Sequence, residues 1–158
     1  SFILNYFFLK IISKIPQVKL VKFSKIVFFY ILVGLESFLM VIFLKEIVGR
    51  VRYIDLQSAD NFKTFLQITP FSGHSSFPSA HSIAACNLFI LNLIFTQFDS
   101  SKKAKRLFYN FSLMFIFLSS ISRVFYGVHY PSDITFSILL FTLTYTLVFY
   151  LFKKQKIF

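Results

Sequence analysis

The chain of 158 residues has a single cysteine and only six acidic residues. Because Cys86 has no second cysteine to pair with, an intrachain disulfide framework and a cysteine-rich zinc site are both excluded. Charged residues make up only 15% of the chain. Intrinsic disorder is therefore excluded, since it requires low hydrophobicity and a high density of charge.

The chain is instead rich in apolar residues, which make up 56% of it and raise its mean hydropathy to +0.71. Ordinary globular domains are about 45–50% apolar even when glycine is counted, and a chain this short needs less core than a larger one. The net charge of +11 does not indicate a nucleic-acid partner, because a nucleic-acid-binding module carries its positive charge on a polar surface. The composition predicts one small membrane domain.

Three apolar stretches are long enough to cross a hydrocarbon core of about 30 Å, which takes roughly 20 helical residues. They cover residues 26–44, 77–98 and 134–152. A fourth predicted span, 107–122, is shorter and is extended by the residues that follow it. The sequence therefore predicts an all-α fold, a polytopic transmembrane helical bundle forming a single domain over residues 1–158. Glu36 lies inside the first span, where an ionised carboxylate is expensive, so we expect it to be protonated or hydrogen-bonded inside the bundle, with Asn87 or Asn92 as partners. A proton-relay role is the alternative.

The N-terminal segment 1–25 alternates lysines with apolar residues, which indicates a basic amphipathic helix lying in the membrane interface. Pro16 is expected to bend or break it. Whether this segment also spans the membrane is left open. The segment has neither a basic n-region nor a small-residue cleavage site, so a signal peptide is not expected.

The distribution of lysine and arginine predicts the orientation of the bundle. Five of the 17 basic residues precede the first span, four lie in the connection 99–106 and three in the C-terminal tail, all on one side of a four-span bundle. By the positive-inside rule this side is cytoplasmic. The loop 53–76 then faces the periplasm or the outside, together with Lys45, Arg50, Arg52, Lys63 and Arg123.

Three motifs lie at helix ends on that minority side. They are Lys45-x6-Arg52, Pro78-Ser79-Ala80-His81 and Ser122-Arg123-x5-His129-x3-Asp133. Ionisable residues at such a position are functional candidates. In this order the motifs resemble those of the type 2 phosphatidic acid phosphatase family, K-x6-R-P, P-S-G-H and S-R-x5-H-x3-D. Two residues depart from the pattern: Tyr53 stands where the family has proline, and Ala80 where it has glycine.

The resemblance implies a catalytic trio. His129 is the expected nucleophile, which forms a phosphohistidine, and Asp133 orients its imidazole. His81 is expected to protonate the leaving oxygen and later to activate water. Neutral imidazole is a competent nucleophile, and a second histidine can serve first as acid and then as base. Neither a metal nor a cofactor is implied.

A phosphate-binding set accompanies the trio. Guanidinium and ammonium groups suit the charged oxygens of a phosphate ester, and Lys45, Arg52 and Arg123 supply them. Ser79 and Ala80 precede an apolar helix, where a hydroxyl and backbone N–H groups at a positive helix terminus add to the cradle.

Each residue also has an ordinary structural interpretation. His129 and Asp133 form a possible metal-ligand pair, although no third ligand stands at a suitable spacing. Arginines at helix ends commonly anchor lipid headgroups, and Ser79 and Ser122 suit capping and packing. His74 also ends an S-G-H triplet and is a second candidate for the histidine of the P-S-G-H motif. An apolar helix follows His81 directly, which favours His81 for that role. The long loop containing His74 is either a headgroup-selecting lid or a plain surface loop.

The resemblance therefore implies a metal-independent phosphoric monoester hydrolase acting on a phosphorylated lipid. We expect it in the bacterial inner membrane, with its active site facing the periplasm. A lipid A 1-phosphatase, which would modify lipopolysaccharide, is the leading expectation. Undecaprenyl pyrophosphate phosphatase, phosphatidylglycerophosphate phosphatase, a lipid phosphotransferase and a non-enzymatic lipid-binding or transport protein are alternatives. The oligomeric state is left open.

Overall fold

The structure is a computed structural model that describes residues 17–64, 66–93 and 101–154. Its helices are α1 (Gln17–Val48), α2 (Ala80–Ile90), α3 (Lys102–Phe125) and α4 (Pro131–Lys154). Two short 3-10 helices, Tyr53–Asp55 and Ala59–Asn61, lie in the loop between α1 and α2. The described ranges contain no strand, which confirms the prediction of an all-α bundle.

Three of the helices, α1, α3 and α4, are long and apolar enough to cross a membrane. They contain the predicted spans 26–44, 107–122 and 134–152. The predicted span 77–98 corresponds to α2, whose 11 residues begin at Ala80. Residues 94–98 of that span lie outside the described residues, so the count of four spans stays a prediction.

Helix α1 begins immediately after Pro16 and continues without a break for 32 residues. The last part of the predicted interfacial segment, 17–25, therefore forms one helix with the first span, while residues 1–16 lie outside the described residues. A helix of this length is about 48 Å long, which exceeds a hydrocarbon core of about 30 Å. Lys45, in its last turn, marks the end that leads into the loop.

The core lies where α1, α2 and α4 meet. Phe29 of α1 is fully buried, and its ring makes edge-on contacts with Tyr145, Phe149 and Phe152 of α4. Helix α2 packs against the other three helices, and most extensively against α3. Its buried Ile90 closes the same apolar cluster. The short helix is therefore the centre of the bundle.

The outward faces of the long helices are apolar as well. Phe28, Phe117 and Leu143 are each more than half exposed, and many other large apolar side chains share this exposure. Contiguous apolar surface on this scale is unusual for a protein in water and typical of one that contacts lipid. The protein is therefore a membrane protein whose helices present apolar side chains to the bilayer.

Glu36 lines an apolar groove of about 540 Å³ between α1 and α4. The amides of Asn87 and Asn92 donate instead to the carbonyls of Ile83 and Phe89 within α2 and its last turn. The expected partnership of Glu36 with these asparagines is thus replaced by a position beside the apolar groove.

A glycine turn at the end of α1 directs the chain towards the other helix ends. Gly49 has a φ of +56°, and its N–H donates to the carbonyl of Lys45 at 3.1 Å. Its own carbonyl accepts hydrogen bonds from the hydroxyls of Thr69 and Ser72. A Cβ at this position would lie 2.0 Å from the carbonyl oxygen of Thr69. Only glycine fits here, both in conformation and in space.

Replacing Gly49 with alanine is therefore expected to lower the free energy of unfolding by about 1–3 kcal/mol, since the residue must leave the left-handed region or displace the loop. Thermal unfolding in detergent measures the effect. Gly34→Ala is the matched control, because Gly34 lies inside α1 and a Cβ there makes only ordinary contacts with Asn87. Equal melting temperatures for the two variants would contradict this account of the turn.

Candidate functional site

The centre of the site is the carboxylate of Asp133, which lies in the first turn of α4 and is fully buried. Pro131 begins the helix, at a position where a missing N–H costs nothing. Oδ2 of Asp133 accepts hydrogen bonds from the backbone N–H of Tyr130 at 2.9 Å and from Oγ of Ser76 at 2.6 Å. The first bond is the backward half of a capping box, which fixes the carboxylate against the helix start.

Arg50 occupies the other carboxylate oxygen. Its Nη1 donates to Oδ1 of Asp133 at 2.5 Å and to Oγ of Ser132 at 2.8 Å, and its Nε donates to the carbonyl of Lys63. The side chain is only 3% exposed. The sequence places Arg50 among the basic residues of the minority side but predicts no role for it in the site.

His129 lies beside this ion pair and is 5% exposed. Its Nδ1 is 3.6 Å from Oδ2 of Asp133, just beyond hydrogen-bond distance, and has no hydrogen-bond partner in the described part of the chain. Catalytic hydrogen bonds are often this long before substrate binds, and they tighten in the complex. The structure thus brings the predicted nucleophile and its orienting carboxylate together.

The predicted cations Lys45 and Arg52 both contact Ser75. Nζ of Lys45 donates to the carbonyl of Ser75 at 2.6 Å, and Nη2 of Arg52 donates to its hydroxyl at 3.2 Å. Tyr53, which stands where the related pattern has proline, begins a 3-10 turn and packs edge-on against Tyr130. Arg52 is therefore held at the site despite that departure. No local pattern in the sequence predicts this role of Ser75.

Arg123 lies in the last turn of α3, and its Nε is buried without a hydrogen-bond partner among the described residues. The backbone carbonyl of Arg123 accepts hydrogen bonds from the N–H groups of Val128 and His129. The backbone thereby links the predicted nucleophile to the end of α3. A buried guanidinium N–H without a partner favours an anion as the missing acceptor.

His81 lies in the first turn of α2, with its side chain exposed. The charged groups that interact with it electrostatically are Arg123, His129, Lys45 and Arg52. The third predicted member of the trio therefore faces the same cluster as the other two. His74, its rival in the sequence, is exposed in the loop.

The backbone before α2 is organised around Ser79, which is fully buried. Its Oγ caps the helix by accepting from the N–H and the hydroxyl of Ser82, and its own N–H donates to Ser137. Ala80 is the first helical residue and does not have a positive φ. Alanine in place of glycine is therefore unstrained. The described bonds give the Ser79 hydroxyl a capping role, and the hydroxyl of Ser122 similarly donates to the carbonyl of Ser119 in the preceding turn of α3.

Two aromatic rings enclose the guanidinium of Arg50. Its carbon lies 3.9 Å from the centre of the Tyr130 ring and 5.4 Å from that of Phe62. Burial raises the pKa of the Tyr130 phenol, although the charge of Arg50 acts in the opposite direction. The ring therefore stays neutral around pH 7.

As for the metal-ligand interpretation of His129 and Asp133, no group of three or more His, Cys, Asp or Glu side chains suited to a metal occurs within 17–64, 66–93 and 101–154.

The model of the PAP2 superfamily matches residues 23–157. The chain is 36% identical over 118 residues to a phosphatidylglycerophosphatase B from Haemophilus influenzae (strain ATCC 51907 / DSM 11121 / KW20 / Rd). That alignment covers 68% of the chain and 48% of the relative, so the chain spans about half the relative's length. No solved structure matches the chain.

Arg123→Gln is expected to weaken the binding of inorganic phosphate or vanadate by about 10–100-fold, the range for one lost charge-assisted hydrogen bond. Competitive inhibition or calorimetry in detergent measures it. Arg106→Gln is the matched control, because Arg106 is exposed near the opposite end of the same helix. If both variants bind these anions as tightly as the original chain, Arg123 does not belong to an anion site.

Proposed function

The chain belongs to the PAP2 superfamily, and on that premise we propose that it is a membrane lipid phosphatase that forms a phosphohistidine at His129. The observation that carries the proposal is a convergence at one end of the apolar helices. There, His129 lies against a buried carboxylate, and His81 interacts with His129 and with three cationic side chains. This arrangement combines a nucleophile, an acid and a site for a doubly charged anion.

The proposed substrate is a lipid phosphate monoester of the phosphatidylglycerophosphate type. The similarity to a phosphatidylglycerophosphatase B from Haemophilus influenzae favours this alternative over the lipid A 1-phosphatase, which is the leading expectation from the sequence. The apolar outer surface of α1, α3 and α4 suits a substrate whose tail stays in the bilayer. The phosphate then reaches the cations at the helix ends.

In the first step, Nε2 of neutral His129 attacks phosphorus, while the carboxylate of Asp133 accepts a hydrogen bond from the Nδ1–H group of the same imidazole. The P–O bond to the lipid alcohol breaks, and His81 donates a proton to the departing oxygen. Charge on the transferred group is stabilised by Lys45, Arg52 and Arg123, and such electrostatic stabilisation and alignment dominate catalysis at phosphorus.

In the second step, the now neutral His81 removes a proton from water, whose oxygen attacks phosphorus. The P–N bond to His129 breaks, inorganic phosphate leaves, and His81 is again protonated. The exposure of His81 suits this role, because it must reach both a lipid alcohol and water. None of these steps uses a metal.

The proposed location is the bacterial inner membrane, with the site on the periplasmic side. The positive-inside rule supports it, since Lys102, Lys103, Lys105 and Arg106 begin α3 at the end remote from Arg123. The end of α1, the start of α2, the end of α3 and the start of α4 all contribute to the site. A substrate in the outer leaflet would meet them directly.

His129→Ala is expected to reduce phosphate release from lipid phosphates by at least about 10³-fold, since it removes the nucleophile. The assay uses a panel of phosphatidylglycerophosphate, phosphatidate, lipid A 1-phosphate and undecaprenyl pyrophosphate in mixed micelles. Quenching in alkaline detergent with substrate labelled in its phosphate should trap a phosphoenzyme that is stable in alkali and labile in acid in the original chain, and none in the variant. His74→Gln, at the exposed rival histidine, is the control and should retain full activity.

Three results would contradict the proposal: unchanged turnover in His129→Ala, no turnover of any panel lipid by the original chain, or label delivered to an alcohol with no phosphate released. The last result would identify a phosphotransferase. Turnover of lipid A 1-phosphate in preference to phosphatidylglycerophosphate would restore the sequence-based choice of substrate.

The orientation is tested by single-cysteine labelling in a Cys86→Ala background. Ser58→Cys, in the exposed loop, is expected to react with a membrane-impermeant maleimide in intact spheroplasts. Lys103→Cys, at the other end of α3, should react only after lysis. The reverse pattern would place the site in the cytoplasm.

A further inference from the structure

We propose that Arg50 is a positioning residue of this site. It holds one oxygen of Asp133 so that the other faces His129, and it does not itself bind the phosphate. The inference rests on the proposed function, because it assigns a role within that same reaction. It concerns an arginine at one of the six unspecified positions of the motif Lys45-x6-Arg52.

The guanidinium of Arg50 is already hydrogen-bonded to groups of the protein itself. Its Nη1 and Nε donate to Asp133, Ser132 and the carbonyl of Lys63. Tyr130 lies against the guanidinium at 3.9 Å, and only 3% of the side chain is exposed. A group that is enclosed and bonded in this way has little surface left for a substrate phosphate.

The two oxygens of the Asp133 carboxylate have different partners. Oδ1 receives Nη1 of Arg50, whereas Oδ2 receives Ser76 and the N–H of Tyr130 and faces Nδ1 of His129. A carboxylate held only through Oδ2 could rotate about its Cβ–Cγ bond. The ion pair at Oδ1 fixes its plane and therefore the direction in which Oδ2 points.

Arg52, two residues further along the chain, has a different environment. It contacts the hydroxyl of Ser75, a neutral acceptor that a phosphate oxygen can replace, and it is only partly buried. Arg50 already pairs with a carboxylate, and removing that partner would leave an uncompensated buried charge. The two arginines are therefore expected to give different kinetic signatures when replaced.

The charge of Arg50 also has a defined electrostatic effect. Together with the hydrogen bonds to the carboxylate, it lowers the pKa of Asp133 and so favours the ionised form, which the reaction requires. The other charged or titratable groups that interact with this pair or line its surroundings are Lys45, Arg52, His81, Arg123 and Tyr130. Loss of Arg50 should therefore move the acid limb of the pH profile of kcat/KM to higher pH.

Arg50→Met tests the proposal. We expect kcat to fall about 10²-fold, the typical cost of a catalytic group misplaced by about 1 Å, while KM stays within about threefold. The acid limb should move to higher pH. Arg52→Gln is the contrasting variant and should mainly raise KM. A raised KM with unchanged kcat in Arg50→Met would make Arg50 a phosphate ligand, and an unmoved acid limb would make its role merely structural. Either result would overturn the proposal.

Arg50→Lys covers the case in which the methionine variant fails to fold, because it retains the charge without the planar fork. We expect its acid limb to match the original chain and its kcat to fall about tenfold, an intermediate loss in alignment. Full kcat in this folded variant would overturn the claim that the guanidinium positions Asp133.

A readout independent of turnover separates this inference from the proposed function. In ¹⁵N-histidine spectra recorded in detergent, His129→Ala identifies the His129 signals. The Nδ1–H tautomer of His129 should predominate in the original chain and lose population in Arg50→Lys. If no panel lipid is hydrolysed but this tautomer shift occurs, the proposed function fails and the positioning role stands. An unchanged tautomer population would overturn the positioning role itself.

Discussion

The site depends on one buried carboxylate that has to be neutralised. Asp133 is fully buried at the start of α4, and it is matched by Arg50 from the turn after α1 and by Ser76 from the segment before α2. A buried charge is tolerated only when it is paired and its remaining lone pairs are satisfied. Three separate stretches of chain are therefore tied together at one point, and His129 lies against that point.

Two adjacent serines divide the site into two layers. Ser76 bonds the carboxylate, whereas Ser75 holds Lys45 and Arg52 through its carbonyl and its hydroxyl. The inner layer is the ion pair of Arg50 and Asp133, in which both carboxylate oxygens accept hydrogen bonds. In the outer layer, Lys45 and Arg52 donate hydrogen bonds to neutral oxygens, which an anion can displace. The structure thus pairs a fixed orienting layer with a layer available to a phosphate.

The apolar runs predicted the long helices because membrane spans are read from composition and length, and α1, α3 and α4 contain the predicted stretches. Pro131 and Asp133 stand where local chemistry favours a helix start, since proline suits the first helical position and an acidic side chain suits the first turn. Arg50 escaped prediction because its partner lies 83 positions away, and no local spacing reveals such a pair. The cap at Ser79 starts α2 at Ala80, as the capping interpretation of Ser79 expects, and the apolar span 77–98 includes the few residues before the first helical turn.

The most direct test of the central claim is a structure of the protein with vanadate bound. Vanadate takes the trigonal-bipyramidal geometry of a phosphoryl group in transfer. The account predicts vanadium bonded to Nε2 of His129, with its oxygens on Arg52 and Arg123 and with Arg50 still paired to Asp133. Vanadium bound away from His129, or held directly by Arg50, would contradict it.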